Sequence, residues 1–135
     1  MKYDLALIGC GARKQQQPCK ASELYTGALF QKSLLWALRR SRRVYILSAK
    51  YGLVDLERVL IPYNTKLTDL PIRERKAWGA NVTKAIQDLS PEGPILALAG
   101  NAYLSFLSPP LTLVKPLDSL GIGKRLSFLT KGSLE

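Results

Sequence analysis

The groups most able to do chemistry cluster in a short stretch. Lys50, Tyr51 and Gly52 follow directly on the apolar run ILSA, with Asp55 close behind. A lysine at such a junction is a candidate nucleophile, and an aspartate beside it a candidate acid or base. Cys10, which directly follows the apolar run YDLALIG, is a second candidate nucleophile. Cations such as Lys14 and Lys50, or a helix N-terminus, would favour its thiolate. Each has a plainer alternative: a solvated loop lysine, a tyrosine covering a sheet edge, a cysteine serving as a small buried hydrophobe. The chain has no histidine, so imidazole chemistry is excluded. Cys10 and Cys19 make no paired C-x-x-C spacing for zinc, and no metal or cofactor is expected.

What positions these residues is an alternation of apolar runs and helical patterns. Residues 3 to 9 read as a buried strand, as do 43 to 49, 94 to 100 and 111 to 116. From Ala28 to Arg40 the apolar residues Leu29, Phe30, Leu34, Leu35, Trp36 and Leu38 recur at helical spacing, with Thr26 or Gly27 able to begin the helix. Pro71 to Leu89 reads as a second helix, with Ala77, Val82, Ile86 and Leu89 as its core stripe. NAYLSFL and the tail 119 to 135 read as shorter helices. The segment VDLERVLIPYNTKLTDL, with Pro62 and Asn64, reads as a helical turn followed by an extended excursion. Taken together, the elements predict one α/β domain over 1–135: a roughly four-stranded, mainly parallel, Rossmann-like sheet with helices on both faces.

In such sheets ligands collect outside the carboxyl ends of the strands, where strand order reverses. Four segments are expected to share that rim: CGARK, SAKYG, GNAY and KPLDSLGIGKR. Their glycines, Gly11, Gly52, Gly100 and Gly123, permit close backbone approach, while Lys14, Lys50, Lys124 and Arg125 would neutralise phosphate or carboxylate. Ser48 and Asn101 could add hydrogen bonds, and Tyr25, Tyr51, Tyr63 and Tyr103 are available to stack a base. No segment has the Walker or dinucleotide-binding spacing.

The 135 residues carry 20 lysines and arginines against 10 acids, a net charge of +10. That excess favours an anionic partner such as a nucleic acid, a nucleotide or a phosphorylated metabolite, among which composition does not choose. The densest basic run, RRSRR, follows the first long helix and so falls on the opposite rim, where cations complement the helix dipole and can assist as a long-range anchor. No run is apolar enough for a signal or membrane span, and a cytoplasmic chain with reduced thiols and no membrane partner is expected.

ELYTGALF (23 to 30), ILSAKYGLVDLERVLIPYNTKL (46 to 67), LALAGNAYLSFL (96 to 107) and LVKPLDSLGIGKRLSFLTKG (113 to 132) resemble, in the same order, elements of the YaaA family of peroxide-stress proteins. Tyr25 and Gly27 match the first element. Leu47, Ser48, Tyr51, Gly52 and Asp55 match the second, which Pro62 and Tyr63 close. Tyr103 matches the third, and Lys115, Pro116, Gly123 and Lys124 the fourth. The chain resembles a shortened version, without a counterpart of the family's helical DNA-binding part. Lys14 matches only after a small shift, and Cys10 and Lys50 stand outside the family pattern. The resemblance implies DNA binding and protection or processing of DNA under oxidative stress. PCKASELYTGA (18 to 28) is also similar to the core motif of archaeosine synthase through Pro18, Cys19 and Tyr25. The candidate groups themselves leave an alternative open: an enzyme acting on a nucleobase or nucleoside in nucleic-acid modification, of glycosylase or transferase type, with Lys50 or Cys10 as nucleophile or Asp55 as acid or base.

Overall fold

Alternation along the first apolar run separates two cores. In β1 (Tyr3–Gly9), Ala6 and Ile8 join one core, while Leu5 and Leu7 join the other. The computed structural model describes residues 2–109 and 111–133, so the outermost residues of the 1–135 domain and Pro110 lie outside the described residues. After β1 come β2 (Cys19–Lys20), a single helical turn α1 (Ala21–Leu24), α2 (Ala28–Arg40) and β3 (Ser41–Ser48). Then follow β4 (Gly52–Asp55), β5 (Val59–Leu60), a 3-10 turn at Leu67–Asp69 and α3 (Ile72–Asp88). The chain finishes with β6 (Ile95–Leu98), α4 (Asn101–Leu104), β7 (Leu113–Val114) and α5 (Ile122–Ser133).

The main sheet has five strands in the order β4-β3-β1-β6-β7. The β1–β3, β1–β6 and β6–β7 pairs are parallel, and β4 returns antiparallel to β3. Phe30, Trp36 and Ala37 of α2 and Leu129 of α5 cover one face; Trp78, Val82 and Ile86 of α3 cover the other. The α/β reading with a mostly parallel sheet and helices on both faces holds, with one strand more than the four expected.

Three details differ from the sequence reading. The expected helical turn after Gly52 is instead β4, because ILSAKYGLVD closes as a hairpin in which Ser48 pairs with Gly52. Gly52, the first residue of β4 after the turn, has φ of 75°, a left-handed conformation that glycine adopts without steric cost, which accounts for the glycine. Second, β2 and β5 form a small separate antiparallel sheet. Third, the buried stripe of α3 uses Trp78 and Gly79 rather than Ala77, which is exposed. Gly79 is required there, since a Cβ would overlap the Phe106 carbonyl. Among the described residues no helix is long and apolar enough to cross a membrane.

Candidate functional site

From β1 the chain moves to β3 on one side, then crosses to β6 on the other, so strand order reverses at β1. The loops leaving β1 and β6 must diverge there, and they do so from a tight start: a Cβ on Gly9 would lie 3.2 Å from Ala99 Cβ. Above this point opens a cavity of about 470 Å³. Its floor is Gly9 to Arg13 and Leu98 to Gly100, and its walls are the first turn of α2 (Gly27 to Phe30), Tyr103, Leu117 and Arg125. No side chain caps α2, whose N-cap is Gly27. The first amide groups of a helix have no partner within it, and here the residues that carry them line the cavity.

A second cavity of about 540 Å³ shares Cys10, Gly11, Ala12 and Tyr103 with the first. Its remaining wall is Lys14 and the extended segment Asn64 to Thr68. A third, of about 370 Å³, continues along Ala12, Lys14, Gln15 and Gln16 against Pro62, Tyr63 and Asn64. The loop 10–16 is therefore one wall of a connected depression. It is held in place by Gln15 N–H donating to the Leu24 carbonyl at 2.8 Å, Thr26 N–H donating to the Arg13 carbonyl at 3.0 Å, and a Lys14–Tyr25 bridge.

Cys10 stands at the waist between the first two cavities, its Sγ 3.5 Å from the Tyr103 hydroxyl. The ring of Tyr103 is set edge-on against Trp78 at 5.6 Å, and Trp78 Nε1 donates to the Ser48 carbonyl at 2.9 Å. Lys14 is half-buried, with its ammonium 4.5 Å from the centre of the Tyr63 ring and donating to the Ala12 carbonyl at 3.3 Å. Burial pushes the Lys14 pKa down; the charge of a Cys10 thiolate opposes that shift, and Lys66 adds to it. Burial raises the Tyr103 phenol above its ordinary value, and Cys10 raises it further.

Behind this surface lies a buried hydroxyl chain. Tyr63 Oη is 2.6 Å from Tyr25 Oη and 2.7 Å from Ser48 Oγ, and Ser48 Oγ accepts the Tyr51 N–H at 3.0 Å. Desolvation pushes Tyr25 up to about 12 and raises Tyr63 as well, so both remain neutral phenols near neutral pH. Tyr25 and Tyr63 are only 1% and 7% exposed, and Lys14 covers the Tyr63 ring. These two side chains support the wall rather than offering an open face for stacking.

The structure thus brings Cys10, Gly11, Lys14, Gly100, Tyr103 and Arg125 to the walls of the first two cavities, with Tyr63 in the third and Tyr25 and Ser48 beneath. It sets the others apart from all three. Lys50 is exposed at the hairpin tip, where it and Arg58 lie 5.4 and 5.2 Å from the centre of the Tyr51 ring. Asp55 is carried back toward the amino end by the antiparallel β4, where it pairs with Tyr45 and accepts the Glu57 N–H at 2.8 Å. Asn101 donates to Asp118 at 2.9 Å, fastening α4 to the segment before α5, while Gly123 and Lys124 face solvent on α5. The turn of Lys50, Tyr51 and Gly52 does leave the carboxyl end of β3 beside the β1 loop, but the cavities open over β1 and β6 and leave these three residues, with Gly123 and Lys124, outside them.

Sequence reasoning gave Arg13, within the rim segment CGARK, no role of its own, and missed the α2 first turn as a wall and Asn64 to Thr68. The α2 turn had a signal, because a helix that follows a parallel strand begins at that strand's carboxyl end. The last is an extended excursion without periodicity, and only its packing against loop 10–16 reveals it. Among the described residues no group of histidine, cysteine, aspartate and glutamate is arranged to hold a metal.

A protein-family model described as a family of unknown function (DUF6884) matches residues 5–131. No curated protein matches the chain.

Proposed function

Since the chain belongs to the DUF6884 family, a family of unknown function, its activity has to come from its own site, and we propose that the crevice above β1 and β6 binds a nucleotide, free or within a nucleic acid. The observation that carries this is the composition of the first cavity. An uncapped α2 N-terminus and two arginines, Arg13 and Arg125, meet apolar walls from Leu29, Phe30 and Leu117, with no carboxylate among the lining residues. Helix amides and guanidinium groups suit a phosphate, and apolar walls with the Tyr103 ring suit a base. The likeness to the YaaA family supports a setting in which that nucleotide belongs to DNA being protected or processed under oxidative stress. The two free cysteines support a cytoplasmic location.

The test is a thermal-shift panel of nucleoside monophosphates on the wild type and on Arg125→Ala. A ligand at about one hundred times its Kd stabilises by about 2.7 kcal/mol, a rise of several degrees, which Arg125→Ala should largely remove. An unchanged Tm across the panel would remove the nucleotide reading.

A second reading is favoured by one observation, the position of Cys10 at the waist of two cavities beside Tyr103 and Lys14. An enzyme acting on a nucleobase or nucleoside would use that thiol as its nucleophile, with the Tyr103 hydroxyl and the Lys14 ammonium as proton donors. Lys50 and Asp55, exposed and outside the cavities, are less suited to that role.

A further inference from the structure

The first cavity accounts for one nucleotide unit, yet the depression does not end there. It continues through the second cavity into the third, always with loop 10–16 as one wall and the segment from Pro62 to Thr68 as the other. The extension differs from the crevice in chemistry. The crevice is largely apolar, whereas the extension presents Lys14 and Lys66 with the amides and hydroxyls of Gln15, Gln16, Asn64 and Thr68. No aspartate or glutamate lines any of the three cavities among the described residues. A groove that is apolar at one end and cationic and hydrogen-bonding along its length has more capacity than a mononucleotide can use.

We infer that the physiological ligand is a single-stranded polynucleotide, one of whose bases enters the crevice while the adjoining sugar-phosphate backbone runs along the second and third cavities. This rests on the nucleotide reading of the crevice and deepens it. A single strand fits better than a duplex because a base can reach a cavity set between loops only when it is unstacked from its neighbours. A polynucleotide also fits better than an acidic peptide, since the groove joins a base-sized apolar end, with Tyr103 in its wall, to a cationic track. Lys14 and Lys66 would each neutralise a backbone phosphate, and the amides beside them would take sugar and phosphate oxygens. Lys66 is exposed, so its removal leaves the core intact.

The experiment compares a nucleoside monophosphate with a short single strand containing it, using calorimetry and anisotropy, on wild type, Lys66→Ala and Arg42→Ala. The strand is expected to bind at least about tenfold more tightly than the monophosphate, a difference of about 1.4 kcal/mol, and the monophosphate should compete it off. Lys66→Ala should remove most of that gain and lower the log–log salt slope by about 0.7, leaving monophosphate affinity unchanged. Arg42, exposed on the opposite rim, should matter much less. Equal affinity for strand and monophosphate would overturn the inference and leave the nucleotide crevice standing. Equal losses from Lys66→Ala and Arg42→Ala would overturn it as well, because diffuse charge rather than the groove would then hold the strand. An acidic peptide competing as well as the strand would overturn it in favour of a protein partner. If neither monophosphate nor strand binds, the crevice reading fails together with it.

Discussion

The Tyr63 hydroxyl sits between two others, 2.6 Å from Tyr25 and 2.7 Å from Ser48, in a place that water does not reach. Its ring is the platform on which the Lys14 ammonium rests. Removing the hydroxyl while keeping the ring separates these functions. Tyr63→Phe leaves the buried Tyr25 hydroxyl without its partner and takes one from Ser48, at an expected cost of about 1–3 kcal/mol. Urea unfolding would report the loss, while nucleotide affinity should change little because the ring under Lys14 remains. A large loss of affinity with unchanged stability would instead place the phenol in direct contact with ligand. Cys10 and Lys14 differ from this pair in kind: they are half-buried and line cavities, so their chemistry is available to a ligand. Legibility followed the same division. A cysteine and a lysine just beyond an apolar run were readable as rim residues, whereas the burial of Tyr25 and Tyr63 depends on contacts 38 residues apart.

At the scale of elements, β1 is the strand that both halves of the sheet share, and its start is secured by Asp4. The Asp4 carboxylate accepts the Glu92 N–H at 2.8 Å and an Arg43 N–H at 2.9 Å, joining β1 to β3 and to the loop before β6. The Glu92 amide and the Arg43 guanidinium together hold the Asp4 pKa below its ordinary value. A carboxylate with a depressed folded-state pKa contributes stability above its unfolded value, and that contribution is lost as pH falls through the folded one. Asp4→Asn should therefore lower Tm at neutral pH, and the gap to wild type should close as the solution is acidified below the ordinary carboxylate range. A gap that stays constant down to strongly acidic pH would show that Asp4 acts through shape rather than charge. The long elements were legible because β1, β3, α2 and α3 carry strong periodic patterns. What was not legible was direction. ILSAKYGLVD has the same apolar run and glycine whether the chain leaves the sheet or turns back on it, and only the pairing of Leu47 with Leu53 and of Ser48 with Gly52 decides. That decision carried Asp55 back from the carboxyl-end rim and left Lys50 at the hairpin tip. The two-residue strands β2 and β5 are too short to show alternation at all.

For the molecule as a whole, part of the basic excess behind the net charge of +10 gathers on two rims with different roles. On the amino-end rim, Arg40 stacks on Trp36 at 3.7 Å and Arg43 pairs with Asp4, so part of the RRSRR run is engaged within the fold. At the carboxyl-end rim, Arg13, Lys14, Lys66 and Arg125 line connected cavities that contain no acid among the described residues. Charge alone would attract a polyanion to either rim, and a cavity of about 470 Å³ beside Lys2, Trp36, Arg40 and Lys131 opens at the amino end too, but the carboxyl-end rim is the one where the strand order reverses. The most direct measurement is a backbone amide NMR titration with a nucleoside monophosphate. Nucleotide binding at the crevice predicts saturable shifts at Cys10 to Ala12, at Gly27 to Leu29 and at Gly100. Shifts confined to the Arg39 to Arg43 rim, or none at saturating ligand, would contradict it.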